Sequence, residues 1–259
     1  MIDEPYRWME AIANRREYIE HQLSSGSPIV GLSYRDGILL FTLGRERQKI
    51  FEIYDRIGMG GIGHPGDIER LRMAAIELTS TEGFARSAHD VSLRRLATYS
   101  LSPALKGAFE QVYGPPYLAR LLFAELGRRA APDLFLRLDY DGSMHTNGGT
   151  FSRSFESFGA VAGTSAAIER MSAGLRERSS PEATLEDSLR LALEAWAVGH
   201  LALDAEENSE LAPDRVRAHA LEQMGNAAIE AAILDRTSTA PVTWRALPDA
   251  EVRSILEDR

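Results

Sequence analysis

The most motif-like run in the chain is Gly58-Met59-Gly60-Gly61-Ile62-Gly63, which spells G-x-G-x-x-G directly after an apolar segment. In a dinucleotide-binding fold such glycines open a helix whose N-terminus faces a pyrophosphate. Here His64-Pro65-Gly66 stands between the glycines and the first helical periodicity. The preceding segment also pairs into a hairpin. A glycine-rich strand packed closely on its neighbours is therefore the stronger reading, and a nucleotide-dependent oxidoreductase the remote alternative. His64 and Asp67 are two candidate metal ligands without a third nearby. Asp67 reads better as a capping carboxylate at a helix start. His89-Asp90, His145 and His200 are scattered and imply no Ser-His-Asp arrangement. With no cysteine, disulfides and thiolate chemistry are excluded. Lys49 fits either a solvated strand-edge charge or a functional cation.

The composition narrows the partners. The 259 residues carry a net charge of −9, which argues against nucleic acid, because phosphate recognition needs concentrated Lys and Arg. Apolar residues make up 44% and charged residues 26%, enough to build a real core. Met1-Ile2-Asp3-Glu4-Pro5-Tyr6 lacks the basic start and apolar centre of a signal peptide. No run approaches the roughly 18 apolar residues of a membrane span, so a cytoplasmic protein is expected. Glu206-Glu207 reads as solvated charge.

The elements that must position these residues follow from periodicity. Tyr6 to Leu23 is a predicted amphipathic helix, with Met9, Ile12, Ile19 and Leu23 in register. Its polar face mixes Glu with Arg, so contact with a neighbouring subunit suits it better than a membrane surface. Two hairpins follow. Ile29–Tyr34 and Ile38–Leu43 are joined at Arg35-Asp36-Gly37, and Lys49–Tyr54 and Ile57–Ile62 at Asp55-Arg56. Helices are expected from Asp67 and over Val91–Val112, the second kinked or divided at Pro103. Strands are expected at Tyr117–Glu125, Asp133–Tyr140 and Ser154–Ala162. Two helices come next, around Ile168–Leu175 and Leu185–Trp196, the latter opened by Thr184-Leu-Glu-Asp187. Asp204–Arg215 reads as a polar surface loop. Strands at Ala228–Leu234 and Val242–Ala246 and a helix at Pro248–Glu257 close the chain. Strand blocks alternating with helix pairs predict an α+β protein in packed layers, in one domain, since no Pro/Gly/Ser-rich linker divides it.

The order of local landmarks resembles one family. Val30-Gly31, Asp36-Gly37-Ile38-Leu39-Leu40, and Gln48-Lys49-Ile50 followed by Tyr54-Asp55-Arg56-Ile57-Gly58 are similar to the first two hairpins of a proteasome subunit. Gly63 to Arg72 resembles the start of its first long helix. Pro116-Tyr117 and Asp139-Tyr140-Asp141-Gly142 match later landmarks. The likeness runs from Tyr6 to about Leu256, is weaker at Phe151–Phe158 and Asp204–Arg215, and is nearest to bacterial α-type subunits of the actinobacterial kind.

The resemblance implies a four-layer αββα sandwich of the N-terminal nucleophile hydrolase type, spanning 29–247. An extra helix at 6–24 precedes it and a C-terminal helix at 248–257 follows. It implies no catalytic residue. The position of the family's catalytic threonine, whose free amine serves as base for its own hydroxyl, falls on Ser27, the catalytic aspartate falls on Leu43, and only the lysine is kept, as Lys49. In α subunits the matching lysine and Gly63 belong to a pocket that receives an activator's C-terminal carboxylate. Met1, Ile2, Asp3, Glu4, Pro5 and Tyr6 would form the gate. The implied partners are six identical subunits completing a seven-membered ring, a catalytic β subunit, an ATPase ring or other activator, and protein substrates in transit. No nucleic acid, membrane, cofactor or metal is implied. A homo-oligomeric ring without a β partner is the alternative.

Overall fold

The computed structural model describes residues 5–44, 47–111, 113–128, 131–146, 156–204, 211–240 and 242–257. Its central strands are buried on both faces, which is why they read as almost unbroken apolar runs. In β1 (Ile29–Tyr34) the residues Val30, Leu32 and Tyr34 point to one core while Ile29 points to another. In β2 (Gly37–Gly44) Leu39, Phe41 and Leu43 face the first core and Ile38 and Leu40 the second.

These strands belong to two five-stranded antiparallel sheets. One is ordered β10-β9-β2-β1-β8, with β8 at Phe158–Val161, β9 at Ala228–Asp235 and β10 at Trp244–Leu247. The other is ordered β3-β4-β5-β6-β7, spanning Ile50–Tyr54, Ile57–Gly63, Ala119–Glu125, Leu134–Leu138 and Met144–Thr146. Ile29, Leu40, Ile62, Leu122, Phe135 and Leu234 form the core between the sheets. The outer face of the first sheet is covered by α5 (Ser165–Arg178), α6 (Leu185–Leu203), α7 (Pro213–Asn226) and α8 (Asp249–Glu257). The second is covered by α2 (Pro65–Ala85), α3 (Leu93–Leu96) and α4 (Ser102–Glu110). This is the expected four-layer αββα arrangement, with α1 (Pro5–Leu23) added in front.

Several local expectations need correction. The helix expected over Val91–Val112 is divided into α3, a π-helical turn at Ala97–Leu101, and α4. Pro103 carries no N–H for the carbonyl four residues back, and just before it the Ser102 N–H bonds five residues back, to Ala97 O. Val112 lies outside the described residues. Asp67 caps no helix. His64 occupies the N-cap position without a side-chain bond, and Asp67 sits in the first turn of α2, where its Oδ2 accepts the Leu118 N–H at 3.0 Å. Arg215 belongs to α7 rather than to a loop, and Glu206 and Glu207 lie outside the described residues. Strand β7 is also new to the sequence reading. The strand expected over Ser154–Ala162 is Phe158–Val161, its first expected residues lying outside the description.

The glycine run lies along β4, in mid-sheet between β3 and β5, and only its last residue, Gly63, reaches the junction with α2; Pro65 and Gly66, expected to stand before the helix, are its first residues, and His64 is its N-cap. A Cβ on Gly60 would stand 2.9 Å from Ile29 Cγ2 of the facing sheet. The missing side chains let the two sheets approach, the close-packed role expected of them. Among the described residues, no helix is long and apolar enough to cross a membrane and no group of three His, Cys, Asp or Glu is arranged to hold a metal.

Candidate functional site

A surface cleft of about 620 Å³ opens where α1 ends, β3 begins and β4 runs into α2. Lys49 and Gly63, chosen from the sequence, both line it, together with Leu23, Ser27, Gln48 and His64. Fifteen residues and a hairpin turn separate Lys49 from His64 along the chain. The antiparallel β3–β4 pairing folds that length back, and the Gly61 N–H donates to Lys49 O at 2.9 Å.

Lys49 is held by a residue that sequence reasoning missed. Its backbone N–H donates to Glu230 Oε1 and Oε2, each at 2.9 Å, and the Ile50 N–H donates to Oε1 at 2.7 Å. Glu230 lies on β9, so its carboxylate clips the edge strand of one sheet to the other. Burial pushes the Glu230 carboxyl up, against the two backbone N–H groups and the Lys49 charge, which favour the anion. Burial likewise lowers the Lys49 ammonium from the ordinary 10.5, with Glu230 opposing the shift. Among the described residues no hydrogen bond or ion pair reaches Lys49 Nζ. A half-buried ammonium with unused donors, facing an open cleft, is suited to receive an anion.

Gly63 ends β4 at φ +119°, in backbone space that disfavours side chains. A Cβ there would lie 2.1 Å from Leu118 O and 2.8 Å from Leu23 Cδ2. The same Leu118 O accepts the His64 N–H at 2.7 Å. Glycine at 63 thus fixes the wall where β4, β5 and α1 meet.

Ser27 borders the same cleft, but its hydroxyl donates to Leu43 O at 3.0 Å. Leu43 presents an apolar side chain to the core beneath α5 and α6. Position 43 therefore carries no carboxylate, and because α1 precedes Ser27 the Ser27 nitrogen is a backbone amide rather than a free amine. Of the residues expected to form a gate, Met1, Ile2, Asp3 and Glu4 lie outside the described residues, while Pro5 and Tyr6 form the start of α1.

The last turn of α1, beside the cleft, is anchored by a second group that the sequence reading missed. Arg120 on β5, only 3% exposed, donates to Asp139 Oδ1 at 2.5 Å and to Glu20 Oε1 of α1 at 3.0 Å. It also donates to Ala162 O at 3.0 Å. The Tyr140 hydroxyl donates to Glu20 Oε1 at 2.7 Å. An arginine inside a mostly apolar strand was the available signal: a buried guanidinium requires carboxylates.

A profile described as proteasome subunit matches residues 23–200. This chain belongs to the proteasome subunit family. It is similar to proteasome subunit alpha of Kineococcus radiotolerans, 32% identical over 88% of this chain and 86% of that one. The corresponding α subunit of a Nocardioides species is 30% identical over 96% and 87%. That of Mycobacterium marinum is 29% identical over 96% and 85%. The proteasome family profile begins at Leu23, the last residue of α1. The α-subunit relatives also cover much of the chain beyond residue 200.

Proposed function

We propose that this chain is a non-catalytic α-ring subunit of a bacterial proteasome core particle. It stacks on catalytic β subunits, controls substrate admission with residues 1–6, and docks an ATPase ring or other activator in the Lys49 cleft. On this reading it works as one domain, in a seven-membered ring of identical copies, in the cytoplasm.

The observation that carries the proposal is the convergence of Lys49 and Gly63 on one cleft, with the ammonium unengaged by the described residues. A C-terminal carboxylate entering a partly desolvated site needs such a cation. A charge-assisted hydrogen bond of this kind contributes about 1.5–3 kcal/mol, or roughly tenfold to a hundredfold in affinity. Lys49→Ala should weaken activator-stimulated degradation by that factor, leaving unstimulated peptide hydrolysis and native mass unchanged. Lys49→Arg should restore it only in part, because a planar fork presents its charge differently. Intact stimulation in Lys49→Ala would defeat the docking role, and loss of the ring would make the residue structural.

A further inference from the structure

All but two of the 29 basic side chains are arginines; the lysines are Lys49 and Lys106. Arginine stays protonated at any physiological pH, whereas lysine can give up its proton and become a nucleophile. Lys106 lies on the outside of α4, 63% exposed, 3.7 Å from Glu110. Lys49 is different in each respect. It is half-buried in a cleft of about 620 Å³, wide enough to admit a small acyl donor. The half-buried Glu230 carboxylate beside it accepts the backbone N–H groups of Lys49 and Ile50.

We propose that Lys49 is an acylation site, modified by small acyl thioesters that enter the cleft. The neutral amine adds to the thioester carbonyl carbon. The C–N bond forms, the C–S bond breaks, and the departing thiolate takes up the proton released by the nitrogen. The product is a neutral amide in place of a cation. Burial supports this chemistry by lowering the ammonium from its ordinary value of 10.5, which enlarges the free-amine fraction. The charged groups around it are Glu230 from β9 and Arg47, His64 and Glu69 on the cleft wall. Resting on the docking role proposed above, the modification acts as a switch, because an amide offers a carboxylate no countercharge.

Having only two lysines makes the test direct. The folded full-length protein is treated with an acetyl thioester of a small thiol near neutral pH, and acetylation at each lysine is followed by mass spectrometry. Lys49 should be modified several-fold faster than Lys106, since each unit of lowered pKa enlarges the free amine about tenfold. The preference should vanish in denaturant, and the Lys49 rate should level off below pH 10.5. Equal labelling, or Lys106 ahead of Lys49, overturns the acylation site and leaves the docking role standing. Selective labelling of Lys49 with undiminished activator stimulation overturns the docking role and leaves the acylation site standing. Selective labelling with lost stimulation, matched by Lys49→Gln, supports both.

Discussion

At the scale of single residues, Lys49, the proposed anchor for an activator, costs stability. Its folded-state pKa is depressed by burial. For such a base, stability is greatest above the unfolded value of 10.5 and falls as the pH drops through the lower folded value. The deficit grows as the pH falls from 10.5 toward the lower folded value. Lys49→Met keeps the stem and removes the charge, so it should melt higher than the wild type at neutral pH. The gain should fade in scans run above pH 10.5, where the wild-type amine is neutral as well. The same variant should fail to respond to activator, a trade of stability against function. A melting point unchanged at neutral pH would mean that the ammonium is adequately solvated in the cleft.

At the scale of elements, the position of α1 depends on one buried cation. Arg120 joins Glu20 of α1, Asp139 beyond β6 and the carbonyl of Ala162 beyond β8. Removing it leaves Asp139, 7% exposed, without its closest countercharge. Breaking a buried pair by deleting one partner typically costs about 3–5 kcal/mol, and Arg120→Ala should lose that much in denaturant unfolding. Because α1 supplies Leu23 and Gln22 to the cleft, amide hydrogen exchange should also rise along α1 and around Ser25–Ser27. A loss below about 1 kcal/mol with unchanged exchange, the range of an exposed pair, would show that apolar contacts of Ile19 and Leu23 hold the helix unaided. Those two side chains pack with Phe109 and Tyr140.

At the scale of the whole molecule, the proposed role is passive in chemistry and active in access. The purified chain should not turn over fluorogenic peptides, since Leu43 fills the carboxylate position and Ser27 donates its hydroxyl to Leu43 O. Robust turnover abolished by Ser27→Ala would defeat the α-type role. Combined with a catalytic β subunit, the particle should hydrolyse peptides faster once residues 1–6 are removed, with its native mass unchanged. Short terminal segments make few contacts, so their removal alters access more than assembly. An unchanged rate would place the barrier elsewhere. The exposed Trp8, Met9 and Tyr18 give α1 an apolar surface available to a neighbouring copy in the proposed ring.

The sequence by itself determined most strands and most helices, because their signals are local. Val30, Leu32 and Tyr34 alternate with Ile29 and Gly31, and Thr184 accepts the Asp187 N–H as its spacing to α6 foretold. It also gave Lys49 and Gly63 as the residues to watch, through family likeness rather than through their own surroundings. Other features were decided only by the tertiary structure. Helix α7 buries a narrow stripe of Val216, Ala220 and Met224, too thin to stand out beside a polar stretch. Asp67 looks like a cap until β5 brings the Leu118 N–H to it. Glu230 stands 181 residues from Lys49 and reaches it only once the two sheets stack. Periodicity and capping are properties of a few consecutive residues. A half-buried ammonium in a cleft is a property of desolvation and of partners supplied by three strands and a helix, and these exist together only in the folded chain.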